Sequence, residues 1–214
     1  MIKLLFTSII YFLPFISTIY GLNKYPIVLV HGFIGWGPDE MGGYPYWGGE
    51  LDLEKYLESL GYDVFTVSVG PVSSNWERSI EIFHQLKGGQ VDYGKKHADT
   101  WGIIQKPHNK HYIGLYPQWN ESNPLHFIGH SMGGQTIRML SYQLNNLFFI
   151  DSTHNVLEES KLLNSDNSGW IKSITSISTP HNGTTLSDIV IKSVPFLQNF
   201  IILGAVVQSD FYDF

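Results

Sequence analysis

Residues 125–140 read LHFIGHSMGGQTIRML, and this stretch decides the fold of the chain. The apolar run 125–129 predicts a buried strand, and Ile137 and Leu140 have the spacing of one helix face. Between these two elements lies GHSMG, in which a glycine stands two residues before Ser131 and another two residues after it. This G-x-S-x-G pattern is typical of a serine nucleophile on a sharp turn between a strand and a helix. We therefore interpret Ser131 as a nucleophile, and the alternative is a structural serine.

Strands alternate with helices along the rest of the chain. Such alternation predicts an α/β fold with a mostly parallel sheet and helices on its faces. We expect strands over residues 27–31, 63–69, 125–129 and 171–178. We expect helices near residues 51–60 and 79–86 and directly after the serine. The apolar positions that predict their inner faces are Leu51, Leu53, Tyr56, Leu57 and Leu60 in the first, Ile80, Phe83 and Leu86 in the second, and Ile137, Leu140, Leu144 and Leu147 in the third.

Composition excludes several classes of function. The chain has 214 residues, of which 43% are hydrophobic, enough for one packed domain. Its formal net charge is −6 and it has no basic run, which argues against binding to nucleic acid. It contains no cysteine, so disulfides and thiolate nucleophiles are excluded.

The N-terminal residues 1–21 differ from the rest of the chain. Lys3 precedes an apolar run that ends in small residues, which is the layout of a secretory signal peptide. We expect cleavage after Gly21, secretion of the protein, and a single domain over residues 22–214. The alternative is an uncleaved anchor, although the run is short for a membrane-spanning helix.

A glycine-rich loop precedes the serine by about 100 residues. It reads VLVHGFIGWG over residues 28–37, and it comes at the place in the chain where a hydrolase of this type has an oxyanion-hole loop. The backbone amides of Phe33 and Met132 are the predicted oxyanion donors. We expect His31 to be a buried, hydrogen-bonded residue that supports the loop, and His130 to pack beside the serine.

Six motifs in register resemble one enzyme family. They are YPIVLVHGFIGWG (25–37), YWGG (46–49), GPVSSNWERS (70–79), GGQVDYGKKHA (88–98), GHSMGGQT (129–136) and STPHNGTTL (178–186). Together they resemble the true lipases of Gram-positive bacteria, of the staphylococcal and thermophilic-bacillus type. The resemblance implies an α/β-hydrolase fold and hydrolysis of carboxylic esters, particularly triacylglycerols, through an acyl-enzyme on Ser131. It also implies lipid or ester substrates met at a lipid–water interface.

A catalytic triad also needs an acid and a histidine in addition to the serine. In this fold the acid and the histidine follow the serine in sequence, and only His154 and His181 do so here. We expect His154 to lie at the surface and His181 to have a structural role in its turn; the alternative is that one of them is the base. Three acids, Asp151, Asp166 and Asp188, come after the serine but not after the expected strand. The sequence therefore predicts that the last two strands, the triad aspartate and the triad histidine lie outside this chain. An inactive lipase-like fragment or a lipid-binding protein is the alternative function.

The resemblance also bears on metal binding. The related lipases hold a structural zinc ion with two carboxylates and two histidines. Glu77 and His97 match two of these positions, whereas Ile103 occupies the position of the second histidine. We therefore expect no zinc here, with substitution by His108 and His111 as the alternative. The calcium ligands of the family match no residue of this chain.

The segment 189–207 corresponds to the region that leads into the lid of those lipases. A lid would open at a lipid surface and expose the site. The alternative is a core helix that does not move, and periodicity alone does not separate the two.

Overall fold

We describe the fold from a computed structural model, which covers residues 24–148 and 158–185. The predicted signal peptide (1–21) and the segment 189–207 lie outside the described residues, and so do Asp151, His154 and Asp188. In the described part, no helix is long and apolar enough to cross a membrane.

Four parallel strands form the main sheet, and two short strands pair outside it. The described strands are β1 (Ile27–Val30), β2 (Val64–Val67), β3 (Gly89–Gln90), β4 (His111–Tyr112), β5 (Leu125–His130) and β6 (Ile171–Ile177). The order in the main sheet is β2-β1-β5-β6, and each neighbouring pair is parallel. Strands β3 and β4 form the separate antiparallel pair. The mostly parallel sheet predicted from the sequence is therefore confirmed.

Apolar side chains cover both faces of the sheet. Val28 and Val30 of β1 belong to one buried cluster, while Leu29 between them belongs to another. Alternate residues of a strand point to opposite faces, so the two clusters lie on the two sides of the sheet. Burial on both faces explains the continuous apolar sequence of this strand.

Helices contribute side chains to both clusters. Apart from two short 3-10 turns at 41–43 and 49–51, the described helices are α1 (Leu53–Ser59), α2 (Asn75–Lys87), α3 (Lys95–Trp101) and α4 (Met132–Leu144). Helices α2 and α4 pack against each other and contribute buried residues to the larger cluster, and α1 packs beside β2 in the smaller one.

Helix α2 begins four residues before the predicted start at residue 79. The Ser74 hydroxyl accepts a hydrogen bond from the Glu77 amide at 3.3 Å, and the Glu77 carboxylate accepts one from the Ser74 amide at 2.9 Å. This capping box satisfies two backbone donors that would otherwise have no partner. The S-x-x-E signature is visible in the sequence and fixes the true start.

Two expectations about inner helix faces are wrong in part. Leu147 is 45% exposed because α4 ends at Leu144. The side chains of Asn145 and Asn146 donate to backbone carbonyls one turn earlier, at 2.7 and 2.8 Å, and so terminate the helix. In the first helix only Leu53 and Leu57 pack on the core. Leu51 and Leu60 are exposed because they lie outside this helix of seven residues, and Tyr56 within it is exposed as well.

Candidate active site

Ser131 lies between the end of β5 and the start of α4, in a strained backbone conformation. Its φ is 53° and its ψ is −125°, values that a residue with a side chain rarely adopts. Its backbone amide donates a 2.8 Å hydrogen bond to the carbonyl of Ile177 at the end of β6. The side chain is half-buried, and its hydroxyl bonds to no other residue in ranges 24–148 and 158–185. The turn therefore holds this oxygen at the carboxyl edge of the sheet.

The glycines around the serine are required by close approach. A Cβ atom on Gly129 would lie 2.5 Å from the amide nitrogen of Gly134. A Cβ on Gly133 would collide with the carbonyl oxygen of Val30, and one on Gly134 would collide with the Thr179 side chain. The helix can therefore start immediately after the strand only because these positions carry no side chain.

The loop of residues 31–35, called here the 31–35 loop, lies directly against the serine. A Cβ atom on Gly32 would be 2.8 Å from the Cβ atom of Ser131. The sequence predicted that these two segments meet, and the structure brings them together. Phe33 is half exposed beside this contact.

Hydrogen bonds fix the orientation of the peptide between Gly32 and Phe33. The Gly32 carbonyl accepts from the Nδ1 atom of His31 at 2.9 Å and from the Gly35 amide at 3.1 Å. This peptide is trans, like every other described one, so the Phe33 amide points away from that carbonyl. Among the described residues, the Phe33 amide has no acceptor. Met132 is the first residue of α4, and its amide has no acceptor within the helix.

His31 is fully buried and neutral. Burial, together with the nearby positive charge of Arg78, lowers its pKa to about 3. Its Nε2 atom accepts a 3.1 Å hydrogen bond from the Val69 amide, so the proton of the ring is on Nδ1 and is donated to Gly32. The predicted role of His31 as a hydrogen-bonded support of the loop is confirmed.

Arg78 is a buried cation that the sequence analysis did not identify. Its guanidinium donates to the backbone carbonyl of His31 at 2.5 Å, to that of Gly70 at 2.7 Å, and to the Thr136 hydroxyl at 3.1 Å. These bonds join the 31–35 loop, the segment after β2 and helix α4. Burial lowers the pKa of Arg78 to about 10, so the side chain stays charged at neutral pH. No local sequence signal marked it, since Glu81 and Gln85, one and two turns further on, are polar as well.

Tyr46 and His130 form a second group beside the serine. The Gly32 amide donates to the Tyr46 hydroxyl oxygen at 3.1 Å, and that hydroxyl lies 2.5 Å from the Nδ1 atom of His130. The His130 ring also packs against the rings of Tyr46 and Trp47, with centroids 5.8 and 6.4 Å apart. The expectation that His130 packs beside the serine is confirmed.

Residues 23–201 match the protein family described as lipase-like, C-terminal domain. The chain belongs to this lipase-like family. Over 195 residues it is 39% identical to a lipase of Staphylococcus hyicus, an alignment that covers 87% of this chain and 30% of that protein. It is also 39% identical over 173 residues to Lipase 2 of Staphylococcus aureus, which covers 78% of this chain and 25% of that one. The resemblance to staphylococcal lipases is therefore confirmed.

Solved structures of lipase-like proteins share the fold. The chain superposes on Staphylococcus hyicus lipase with a TM-score of 0.77 and 39% identity, covering 88% of this chain and 49% of that one. For EstA from Clostridium botulinum the TM-score is 0.73 and the identity 42%, covering 89% of this chain and 45% of that one. The predicted α/β-hydrolase fold is confirmed. The chain spans 30% or less of the curated relatives given above and less than half of these solved chains.

In this lipase-like chain, His181 is held by the turn that follows β6. Its Nδ1 atom accepts from the Arg138 guanidinium at 3.2 Å, and Arg138 cannot act as an acceptor. The ring proton is therefore on Nε2, which donates to the Ser176 hydroxyl at 3.0 Å. Both ring nitrogens are engaged, Nδ1 by helix α4 and Nε2 by strand β6, as expected for a structural histidine. Asp166 bonds to Ser168 instead, in a separate loop before β6.

The structure brings together the two residues that match the family's zinc ligands. The Nε2 atom of His97 lies 2.8 Å from the Oε1 atom of Glu77, and the Trp76 ring stacks on His97 at 5.3 Å. The other carboxylate oxygen of Glu77 serves the capping box. No group of three or more metal-binding side chains occurs in the described ranges. A tetrahedral zinc site takes four ligands, and this contact supplies two.

Proposed function

We propose that this protein is a secreted carboxylic ester hydrolase of the lipase type, with Ser131 as its nucleophile. One observation carries the proposal: a serine with φ of 53° stands at a strand-to-helix turn, against a loop whose Phe33 amide has no acceptor among the described residues. A serine in this arrangement presents its oxygen to a substrate carbonyl. The names of the relatives given above support lipid or ester substrates.

In the proposed reaction the Ser131 hydroxyl gives its proton to a base, and its oxygen attacks the ester carbonyl carbon. The negative charge that develops on the carbonyl oxygen accepts hydrogen bonds from the amides of Phe33 and Met132. The bond to the alcohol then breaks as the base returns the proton to the departing oxygen, and the acyl group left on Ser131 is transferred to water in a second step. Since the chain spans less than half of its solved relatives, the proposal leaves the base and its acid partner unassigned.

The test combines turnover with covalent labelling. We expect hydrolysis of p-nitrophenyl butyrate to be abolished by Ser131→Ala and unchanged by Ser141→Ala, a matched change in the neighbouring helix. We expect the chain of 214 residues to turn over slowly, because both ring nitrogens of His181 are engaged and this histidine has no free acceptor for the serine proton. Labelling with a p-nitrophenyl phosphonate therefore gives a second readout, by mass spectrometry of the peptide that contains Ser131. Undiminished hydrolysis or labelling in Ser131→Ala would remove this residue from the mechanism.

A second candidate function is lipid binding without turnover. The observation that favours it is the engagement of both His181 nitrogens by Arg138 and Ser176, which leaves this histidine no free acceptor for a serine proton. In that case Ser131 would not react with the phosphonate. Triacylglycerol emulsion droplets would bind the wild type and Ser131→Ala equally. Labelling at Ser131 together with turnover would reject this second function.

A further inference from the structure

Tyr46 occupies the junction between the two segments that build the site. Its hydroxyl bonds to the Gly32 amide of the 31–35 loop and to the His130 ring, which directly precedes Ser131. The position that a Cβ atom on Gly32 would occupy lies 2.8 Å from the Ser131 Cβ atom and 3.2 Å from the Tyr46 hydroxyl oxygen. The phenol oxygen and the serine therefore both lie close to the same glycine.

The direction of the bond from Gly32 is determined by its donor. A backbone amide can only donate, so the Tyr46 oxygen accepts from Gly32. The hydroxyl proton of Tyr46 is then available for the Nδ1 atom of His130, 2.5 Å away. When the phenol donates this proton, His130 accepts it at Nδ1 and carries its own proton on Nε2. The result is a continuous chain of donors and acceptors from the loop amide to the residue before the nucleophile.

The Tyr46 ring is fixed in place by its aromatic neighbours. It packs edge to face against Trp36 at 5.2 Å, His31 at 5.7 Å and Trp47 at 5.7 Å between ring centroids. Edge-to-face contacts of this kind hold a ring in one orientation. Because these contacts hold the ring without its hydroxyl, Tyr46→Phe removes the hydrogen bonds and keeps the packing.

We propose that Tyr46 is a positioning residue that couples the 31–35 loop to the Ser131 turn through His130. The inference rests on the proposed function of Ser131. The Gly32 carbonyl is already held by His31 and Gly35, and Tyr46 holds the amide of the same residue. With both ends of Gly32 fixed, the following Phe33 amide keeps one direction. That amide is used when the oxyanion forms and not when substrate binds, so Tyr46 acts on the chemical step.

The first test is Tyr46→Phe in the full chain, measured as phosphonylation of Ser131 by a p-nitrophenyl phosphonate. We expect the maximal rate of phosphonylation to fall about tenfold, less than the hundredfold or more for loss of an oxyanion donor itself. The phosphonate concentration at half-maximal rate should stay unchanged. The matched control is Tyr62→Phe, another partly buried tyrosine that packs on the same apolar cluster. An unchanged rate in Tyr46→Phe, or an equal loss in Tyr62→Phe, overturns the proposal.

Variants of His130 test the coupling itself. Asparagine can place an oxygen near the position of Nδ1 and accept the Tyr46 proton, whereas leucine cannot. We expect His130→Asn to keep most of the phosphonylation rate and His130→Leu to lose about as much as Tyr46→Phe. Adding Tyr46→Phe to His130→Leu should cost little more, since both remove the same link. Independent, additive losses contradict the proposal.

A measurement without chemistry separates this inference from the proposed function. In ¹⁵N NMR spectra the His130 ring of the wild type should show one tautomer, with its proton on Nε2. In Tyr46→Phe we expect a mixture of both tautomers, because the donor to Nδ1 is gone. If the wild type does not react with the phosphonate, the proposed function fails whatever the spectrum shows. If it reacts but the His130 tautomer is the same in both proteins, the role of Tyr46 fails.

Discussion

The Nη2 atom of Arg78 donates a 2.5 Å hydrogen bond to the backbone carbonyl of His31, 47 residues earlier in the chain. A fully buried charge is thus satisfied by a backbone oxygen of the 31–35 loop. Within the described part of the chain, Arg78 forms no ion pair; its three acceptors are two carbonyls and a hydroxyl. Burial of a cation with no carboxylate in direct contact is costly, and the nearby charge of Glu81 offsets only part of that cost, so these bonds must all be in place in the folded protein.

Replacement of Arg78 should therefore destabilise the fold. In Arg78→Met the carbonyls of His31 and Gly70 lose a buried donor, and we expect the free energy of unfolding to fall by about 3 kcal/mol. Arg78→Lys keeps the charge but cannot reproduce the planar fork, so an intermediate loss is expected. The control is Arg138→Met at an exposed site, with a change within about 0.5 kcal/mol. Urea denaturation measures all three, and equal stability of the two methionine variants contradicts this role for Arg78.

The buried His31 should make stability depend on pH in the acid range. Its folded pKa, about 3, lies below the ordinary value of 6.5. Between these values the unfolded chain binds a proton at this residue and the folded protein does not. The stability is therefore fully present above pH 6.5 and is lost as the pH falls towards 3. From pH 7 to pH 5 this one group should remove about 2 kcal/mol from the free energy of unfolding.

A comparison of variants isolates this contribution from other titrating groups. His31→Gln should lower stability at pH 7, because glutamine does not reproduce both hydrogen bonds of the ring, but it should reduce the loss between pH 7 and pH 5. His108→Gln removes an exposed histidine and should keep the wild-type dependence. Urea denaturation at pH 7, 6 and 5 gives the slope of the unfolding free energy against pH for the wild type and the two variants. If His31→Gln keeps the full wild-type slope, the histidine is not held neutral by the fold.

The sequence predicted those parts of the structure that depend on local pattern. The continuous apolar run of β1 and the G-x-S-x-G turn each follow from the residues within a few positions. The run of β1 is apolar because both faces of the strand are buried, and the turn needs glycines because backbone segments touch there. The start of α2 was also encoded locally, in Ser74 and Glu77, but the apolar periodicity alone did not show it.

Contacts across long sequence separations could not be predicted in the same way. Tyr46 contacts a residue 84 positions away, and Arg78 contacts one 47 positions away. The residues next to a tyrosine in a loop or an arginine in a helix do not indicate which distant residue it will contact. Such residues are identified only when the sheet brings the 31–35 loop and the Ser131 turn together. Exposure of Leu147 likewise depended on where the helix ended.

The strain at Ser131 predicts a difference between two small substitutions. Glycine adopts positive φ without cost, whereas alanine keeps the strain of a residue with a Cβ atom. We expect Ser131→Gly to be about 1 kcal/mol more stable than Ser131→Ala, after allowing for the greater entropy of glycine in the unfolded chain. Thermal and urea unfolding of the two variants measure this difference. Equal stability, or a more stable alanine variant, would show that the turn is not strained at this residue.

The contact between Glu77 and His97 predicts a fold that does not depend on zinc. Their 2.8 Å hydrogen bond and the Trp76 ring stacked on His97 join α2 to α3 directly. We expect an excess of EDTA to leave the unfolding temperature unchanged and added zinc not to raise it. Glu77→Ala should lose about 1–2 kcal/mol, because it removes both the contact with His97 and the capping box. Glu77→Gln keeps the capping hydrogen bond, so its free energy of unfolding should fall by less than that of Glu77→Ala. Stoichiometric zinc in the purified protein by mass spectrometry, or a lower unfolding temperature after chelation, would show that further ligands complete a metal site around these two residues.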